Sequence, residues 1–429
     1  MSSDFSFSYI TPFYRRNLSQ CWNTIFEKLE KEIELKINNV EEYNVLNPFV
    51  RKGKVIESKV IYLVDSKLNA YTLLNTTYRG STYRAISYST FYATKYIVSA
   101  TLPEKEITHF TKETKIKKMY YYQSDLNYIF DNSSVSVERK IMPKSKYINI
   151  KGRREKEFLL GNIIIDNNEV KIFLINSFNA TSFSRNINII PTNYLRLEFK
   201  HYVNFDFAYK IKRKIDAVLY LLIFTDNVSN KLEFIDTKKN RYTYFDLENK
   251  YNEKALTLPS FNTKNTQEIF INLLNLFMNK SNDENNAFLP FLDFYKNKPS
   301  VEIEFLEYYR MLELIEKTKN QKLNKGKNNL FMVKLIKKYQ YLKKQYFNNR
   351  SDEEIEEELR SLRNYYSHEG YYLESLPIVR NKEIIDFKNV DVQWKVDTKN
   401  FVKKMAYLEI YAMAGIQIDE KSFAINAPI

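Results

Sequence analysis

The feature that most constrains this chain is a change of hydrophobic period near residue 206. Upstream, β-branched and aromatic residues gather in short runs separated by Asn, Asp, Ser and Gly, which is the pattern of strands. Downstream, apolar residues recur three and four apart, which is the pattern of amphipathic helices. Two periods in one chain predict an α+β protein: a β-rich, sandwich-like N-terminal domain over 1–260, then an all-α helical domain over 261–429. A length of 429 residues exceeds what one core usually organises, which also favours two domains.

The strand candidates are Lys54 to Val64, Tyr71 to Thr77, Ala85 to Ser99, Lys117 to Phe130, Ser134 to Ile141, Glu169 to Ile175 and Leu195 to Tyr202. Tyr120-Tyr121-Tyr122 and Ile163-Ile164-Ile165 are apolar on both faces and predict an interior position between two layers. Before the strands, Trp22, Ile25, Phe26, Leu29 and Ile33 fall at helical spacing and predict a helix within Phe13 to Lys36. Ala208, Ile211, Ile215, Val218 and Leu222 predict a helix whose other face carries Lys210, Lys212, Arg213 and Lys214. A hairpin, Lys231 to Ile235 with Tyr242 to Phe245, closes the first domain.

The helical remainder begins at Glu268 to Met278. Ile303, Leu306, Tyr309, Leu312 and Ile315 mark the next helix. A further one runs from about Leu330 to Phe347, its stripe Met332, Leu335, Tyr339, Leu342 and Tyr346, with Lys334, Lys337, Lys338 and Lys344 on the opposite face. Ser351 followed by Glu354 is a capping box, and Asp352 and Glu353 sit at the positive end of the same helix. Its buried stripe is Ile355, Leu359, Leu362 and Tyr366, and Gly370 lies just past its end. A last helix, Thr398 to Ala414, closes at Gly415.

A formal charge of +14 and a pI near 9.2 favour polyanionic partners, because Lys and Arg that neutralise phosphates release condensed counterions. A single cysteine, Cys21, excludes an intramolecular disulfide framework and suits a reducing compartment. With three histidines and one cysteine the usual zinc arrays cannot be assembled, so no metal and no cofactor is expected. The longest apolar run, Ala217 to Phe224, is too short to span a bilayer, and the opening residues lack the form of a signal peptide. No membrane association and a cytoplasmic location are therefore expected.

Chemistry concentrates in Arg363-Asn364-Tyr365-Tyr366-Ser367-His368 at the end of the capped helix. RNA cleavage without a metal needs a proton taken from a 2′-OH, charge stabilised on the phosphorane and a proton given to the leaving 5′-oxygen. His368 titrates near neutrality and suits the proton transfers. Arg363 can fork onto a phosphate, which Lys does less well. Asn364 can orient either group. One histidine serves poorly as both base and acid, and the chain holds no second copy of the motif, so two chains are implied. The bland alternative pairs Arg363 with Glu356 or Glu357 of its own helix and leaves His368 as a dipole-compensating terminal residue. The basic face of Lys334, Lys337, Lys338 and Lys344 is the candidate RNA-binding surface. The Lys144 to Lys156 cluster reads as a charged loop, and Asp352 to Glu357 as dipole compensation and not a metal site.

Arg363-Asn364-x-x-x-His368 resembles the R-N-x-x-x-H signature of HEPN ribonucleases, small helical bundles of toxins, abortive-infection proteins and CRISPR effectors. Glu304 to Glu313 resembles their opening helix, and Tyr407 to Ile416 the closing helix of the ApeA-like members. Phe205 to Phe224 followed by Lys231 to Phe234 is similar to the end of the β-rich domain that precedes the nuclease in that group. The resemblance implies a homodimeric, metal-independent endoribonuclease of anti-phage abortive infection. It would cleave RNA, tRNA among the candidate substrates, and its N-terminal domain would sense a phage-derived trigger or restrain the nuclease. The rivals are a non-catalytic RNA-binding or interaction protein with a HEPN-like bundle, and a CRISPR-associated HEPN nuclease. The latter's nucleotide sensor should alternate strand and helix with Gly-rich turns, which the first 200 residues do not.

Overall fold

In Leu195-Arg196-Leu197-Glu198-Phe199 the apolar and charged residues take turns, so an extended chain places the first kind on one face and the second on the other. A computed structural model of the chain describes residues 5–9, 24–28, 33–38, 50–51, 54–55, 59–65, 69–83, 87–99, 109–123, 126–130, 136–142, 145–151, 155–183, 186–191, 193–223, 229, 231–246, 266–279, 288, 299–319, 331–368, 378–380, 383–385 and 391–426. It divides into two compact units. The first is Met1–Ile163, Asn168–Lys210 and Asn227–Tyr251; the second is Ile164–Asn167, Ile211–Asp226 and Asn252–Ile429. Most of the helix that ends the expected first domain is thus counted with the second unit.

The first unit is built on an antiparallel sheet. Its principal strands are β1 (Ala70–Tyr83), β2 (Lys95–Ser99), β3 (Ile116–Tyr122), β4 (Asn168–Phe183), β5 (Tyr194–Val203), β6 (Lys231–Asp236) and β7 (Arg241–Asp246). They lie in the order β4-β5-β3-β6-β7-β2-β1. From β1 the pairings continue through Lys59–Asp65, Phe5–Tyr9, Thr24–Lys28, Ile33–Asn38 and Ser87–Ala93, and the last of these pairs back onto β1. One face of the principal strands is closed: Met119, Tyr121, Leu195, Leu197, Leu232 and Phe234 are all buried. Phe205, at the start of helix α1 (Phe205–Ile223), lies against Phe234 and Tyr244 on that face. The β6–β7 turn is organised by Asp236, whose carboxylate accepts from the backbone N–H groups of Lys238 and Asn240, each at 2.8 Å.

Several expectations are corrected. The helix expected in Phe13 to Lys36 is replaced, over its described residues, by the antiparallel strands Thr24–Lys28 and Ile33–Asn38. Ile33, Leu35 and Ile37 alternate with Glu34 and Lys36, and this period of two prevails over the looser helical spacing. Trp22 and Leu29 lie outside the described residues. The two triplets are not buried on both faces. Tyr121 is enclosed while Tyr120 and Tyr122 are partly exposed, and Ile163 and Ile165 are enclosed while Ile164 is 74% exposed. Ser145–Lys151 is a strand paired with Ser136–Met142, so much of the expected charged loop is one arm of a hairpin. On α1, Lys212 and Lys214 are buried instead of solvated, and Lys212 pairs with Asp216 one turn on at 2.8 Å.

The helices of the second unit are α2 (Thr266–Met278), α3 (Val301–Lys319), α4 (Phe331–Lys338), α5 (Gln340–Phe347), α6 (Asp352–His368), α7 (Val392–Met413) and α8 (Glu420–Asn426). Contacts between α3 and α7 rise together along both chains, Glu302 with Lys395, Glu304 with Lys403 and Tyr308 with Tyr407, so the two helices run parallel. Phe305 meets the edge of Tyr366 on α6, Tyr309 meets Phe331 on α4, and Phe347 of α5 meets Phe401 of α7. Of the expected α3 stripe Tyr309, Leu312 and Ile315 are buried; Ile303 is 53% exposed, and Phe305, Tyr308 and Met311 are buried in addition. The single helix expected over Leu330 to Phe347 is broken at Tyr339, whose φ of −108° and ψ of 65° leave the helical region. Helix α7 starts at Val392, capped by Asp391 through the Gln393 N–H, and α8 follows it where no further helix is expected. Its end is as expected. Gly415 has φ +74°, the Ile416 N–H reaches Tyr411 O at 2.8 Å and the Gly415 N–H reaches Ala412 O at 3.1 Å, which is a Schellman closure.

Candidate active site

Helix α6 carries the motif, and its first turn is built as its sequence implies. The Ser351 N–H donates to Glu354 Oε2 at 3.1 Å and the Glu354 N–H donates to Ser351 Oγ at 3.2 Å, so the capping box is closed in both directions. The acidic residues there are engaged by side chains: Asp352 with Lys343 at 2.5 Å, Glu353 with Lys337 at 3.7 Å and Glu356 with Arg360 at 3.2 Å. Ile355, Leu359, Leu362 and Tyr366 are all buried, the stripe read from the sequence. Glu358, fully buried beside them, accepts from the Trp394 indole N–H and pairs with Arg350. These contacts fix the roll of α6 about its axis.

That roll sets where the motif residues stand. The Arg363 side chain is 33% exposed, with Nη2 3.6 Å from Glu313 Oε2 on α3 and Nη1 donating to Asn364 Oδ1 at 3.3 Å. Its partner therefore lies on a neighbouring helix and not at Glu356 or Glu357 of its own. The Arg363 Nε–H is covered and has no hydrogen-bond partner among the described residues. Ser367 Oγ donates to Arg363 O at 2.7 Å, a local bond that ties the last turn together. The helix runs through His368, its final residue. At about 100° per residue, Asn364 and His368 stand one turn apart on a single face, while Arg363 and His368 are about 140° apart around the axis. Gly370 lies outside the described residues.

Tyr309 and Glu313, one turn apart on α3, lie near Arg363; the sequence marks Tyr309 only as part of the apolar stripe and does not mark Glu313. Burial raises the Tyr309 hydroxyl pKa above its ordinary value, Glu313 and Glu356 add to the rise, and Arg363 and Arg360 oppose it. Burial likewise raises the Glu356 carboxyl, with Arg360 acting against it and Glu357 with it. Two guanidinium groups and two carboxylates thus share the space between α3 and α6. The sequence signal was present in the Tyr309-x-x-x-Glu313 spacing, which puts both on the face α3 turns to α6, but nothing in one chain's sequence says which helix that face meets. Strand Ile378–Arg380, paired with Glu383–Ile385 in the segment after the motif, lies against α6.

The four candidate RNA-binding lysines divide. Lys338 donates to Glu409 Oε1 at 2.6 Å. The Glu409 side chain is 1% exposed and also accepts from the Tyr339 hydroxyl at 2.6 Å and from Lys319. Burial alone would raise this carboxyl; the bonds from Lys319, Lys338 and Tyr339 outweigh it and hold the pKa below the ordinary carboxylate range. Lys338 is therefore a fastener between α4 and α7. Among the described residues Lys337 makes only the long, exposed contact with Glu353. Lys334 and Lys344 are exposed and make no ion pair among the described residues. Of the remaining histidines, His109 takes a hydrogen bond with the Tyr71 backbone and burial lowers its pKa, and His201 is exposed on β5. Cys21 lies outside the described residues, and among the described residues no helix is long and apolar enough to cross a membrane.

No family model, no curated protein and no solved structure matches the chain.

Proposed function

We propose that this chain is a metal-independent endoribonuclease of the HEPN type, acting on RNA through two copies of Arg363, Asn364 and His368. The observation that carries the reading is the placement of Asn364 and His368 one turn apart at the C-terminal end of α6, with the Arg363 guanidinium beside Asn364 and one third exposed. His368 takes the 2′-OH proton or returns one to the 5′-oxygen, Arg363 forks onto the phosphate, and Asn364 orients the guanidinium it already touches. A second chain supplies the complementary histidine. The β-rich unit is assigned sensing of a phage-derived trigger, the cell's own RNA being the target in abortive infection.

The test compares wild type, Arg363→Ala and His368→Ala on total RNA with a chelator present, and reads the new 2′,3′-cyclic phosphate ends. Loss of cleavage in both variants with chelator-resistant activity in wild type is the expected result. Equal behaviour of all three, or activity that disappears with the chelator, overturns it. Light scattering that finds a monomer throughout an active preparation overturns the two-chain site.

One observation favours a second reading, a non-catalytic bundle. Arg363 already has a carboxylate neighbour in Glu313, so it can serve as a bracket between α3 and α6. In that case wild type cleaves nothing, and Arg363→Ala loosens the helices.

A further inference from the structure

Over β3, β5 and β6 the sheet of the first unit has one buried face and one partly exposed face, and the latter has a composition of its own. On β3, Lys118, Tyr120 and Tyr122 point away from the buried Met119 and Tyr121. Their register partners on β5 are Glu198, Arg196 and Tyr194, and those on β6 include Glu233 and Lys231. Tyr120, Tyr122 and Tyr194 are all partly exposed. Their rings form one patch, Tyr194 lying 5.1 Å from Tyr122 and 6.1 Å from Tyr120.

Cations are set among the rings. Lys231 Nζ sits 4.6 Å from the centre of Tyr122, and the Arg196 guanidinium 4.6 Å from that of Phe173 on β4. The outward positions of β3, β5, β6 and β7 hold Lys118, Arg196, Lys200, Lys231 and Arg241 against Glu198 and Glu233. The carboxylates act inside the patch. Glu198 is held by Lys118 at 2.6 Å and Arg196 at 3.3 Å, Glu233 by Lys231 at 3.0 Å, and Glu157 of the adjoining strand Glu155–Ile165 by Arg196 at 2.6 Å. They fix the long cations in place, and with Glu169 held by Lys200 at 3.4 Å the face keeps only a small positive excess. An ordinary wet sheet face is covered by short polar residues and flexible charges. Clustered rings interleaved with anchored cations match a strand of nucleotides, whose bases offer π-faces and whose phosphates recur at every step.

We infer that the outward face of β3, β5 and β6 binds single-stranded nucleic acid, with bases stacked on Tyr120, Tyr122 and Tyr194 and phosphates on Lys118, Arg196 and Lys231. Hydrogen-bond readout of base edges has no part in it, so the binding tolerates sequence. The site belongs to the β-rich unit and does not rest on the cleavage reading.

The test uses the full chain and a fluorescent 15-nucleotide oligodeoxythymidylate, which lacks the 2′-OH and so survives even an active ribonuclease. Anisotropy titration at low salt is expected to show saturable binding, weaker for a blunt duplex of the same length. Tyr120→Ala and Tyr194→Ala each lower the affinity roughly 5- to 150-fold, and Tyr120→Phe and Tyr194→Phe, which keep the rings, do not. Because an alanine in a sheet can unfold it, Lys118→Gln, at one of the proposed phosphate contacts, serves as a second probe. It leaves the closed face untouched and reduces the slope of log affinity against log salt by about 0.7. Absence of saturable binding, equal affinity for the duplex, or alanine variants that fold and bind like the phenylalanine ones overturns the inference. Any of these outcomes leaves the RNA-cleavage test of the α6 motif unaffected.

Discussion

Replacing Arg363 by lysine separates the catalytic reading of this residue from the bracing one. The Arg363 and Glu313 side chains are 33% and 25% exposed and approach only to 3.6 Å, so water screens the pair and it contributes about 0.5–1 kcal/mol. Lysine keeps the positive charge facing Glu313 and forfeits only part of that, a melting shift of about 2–4 °C at most for a unit of this size. The chemistry is much more sensitive. A guanidinium that grips a phosphorane through two parallel N–H groups is replaced by a point charge, and loss of one preorganised donor costs about 100- to 1000-fold in rate. The expected outcome is therefore a protein that melts almost as wild type does and cleaves RNA at least about 100-fold more slowly. Thermal denaturation followed by circular dichroism at 222 nm, alongside single-turnover cleavage in chelator, measures both. Full cleavage by Arg363→Lys, or a rate that falls only in step with melting temperature across Arg363→Lys and Arg363→Ala, would refute a phosphate-gripping role.

Glu409→Gln removes the charge that Lys319 and Lys338 share. The folded-state pKa of Glu409 is depressed, so its stabilisation is complete above the ordinary value of about 4.3 and is lost as pH falls through the lower folded value. As pH falls below the ordinary carboxylate value wild type should lose more stability than Glu409→Gln, and parallel acid limbs in urea titrations would contradict the assignment. Gly415→Ala should cost about 1 kcal/mol in the same titrations, because a Cβ there meets nothing within 4 Å and the strain of φ +74° is all that remains. Among the lysines, Lys334→Ala with Lys344→Ala should reduce the salt slope of RNA binding by about 1.4 with little change in melting, whereas Lys338→Ala should lower melting first. Equal melting of the three single variants would show that Lys338 fastens nothing.

How much could be read beforehand depended on whether a residue's partner was local. The capping box of Ser351 and Glu354, the Gly415 closure and the Ile355 to Tyr366 stripe are decided within one or two turns, and each forms as its spacing implies. Strand β5 was legible because apolar and charged residues alternate from Leu195 to Lys200. Long-range partners were not. Lys212 and Lys214 are buried, as is nearly every residue of α1 from Ile211 to Ile223, which no helical wheel foretells. Tyr339 interrupts a continuous helical pattern at the residue whose hydroxyl is drawn to Glu409, 70 residues away. In the candidate site the same division holds. The placement of Asn364 and His368 follows from helical periodicity alone, whereas the encounter of Arg363 with Glu313 depends on which face of α3 meets α6.

The angular spread of the motif bears on how a site can be assembled. Since positions 363 and 368 lie about 140° apart around the helix axis, a single helix end would set the proposed phosphate grip on one side and the proposed proton-transfer group on another. Asn364 stands between them, in hydrogen-bond reach of the guanidinium and one turn from the histidine. A ligand seated against one chain therefore meets Asn364 with one neighbour or the other more readily than with both. Two helix ends related by a twofold axis remove the conflict, because the His368 face of each can be set against the Arg363 side of its mate, with both histidines close enough to divide the roles of base and acid. The need for a second histidine and the helical angle are independent arguments, one chemical and one geometric, and they lead to the same two-chain arrangement. A tandem fusion of wild type to His368→Ala decides between this arrangement and a one-chain site. One-chain catalysis leaves half the activity per fusion, and shared catalysis leaves far less, because every composite site then lacks its acid or its base.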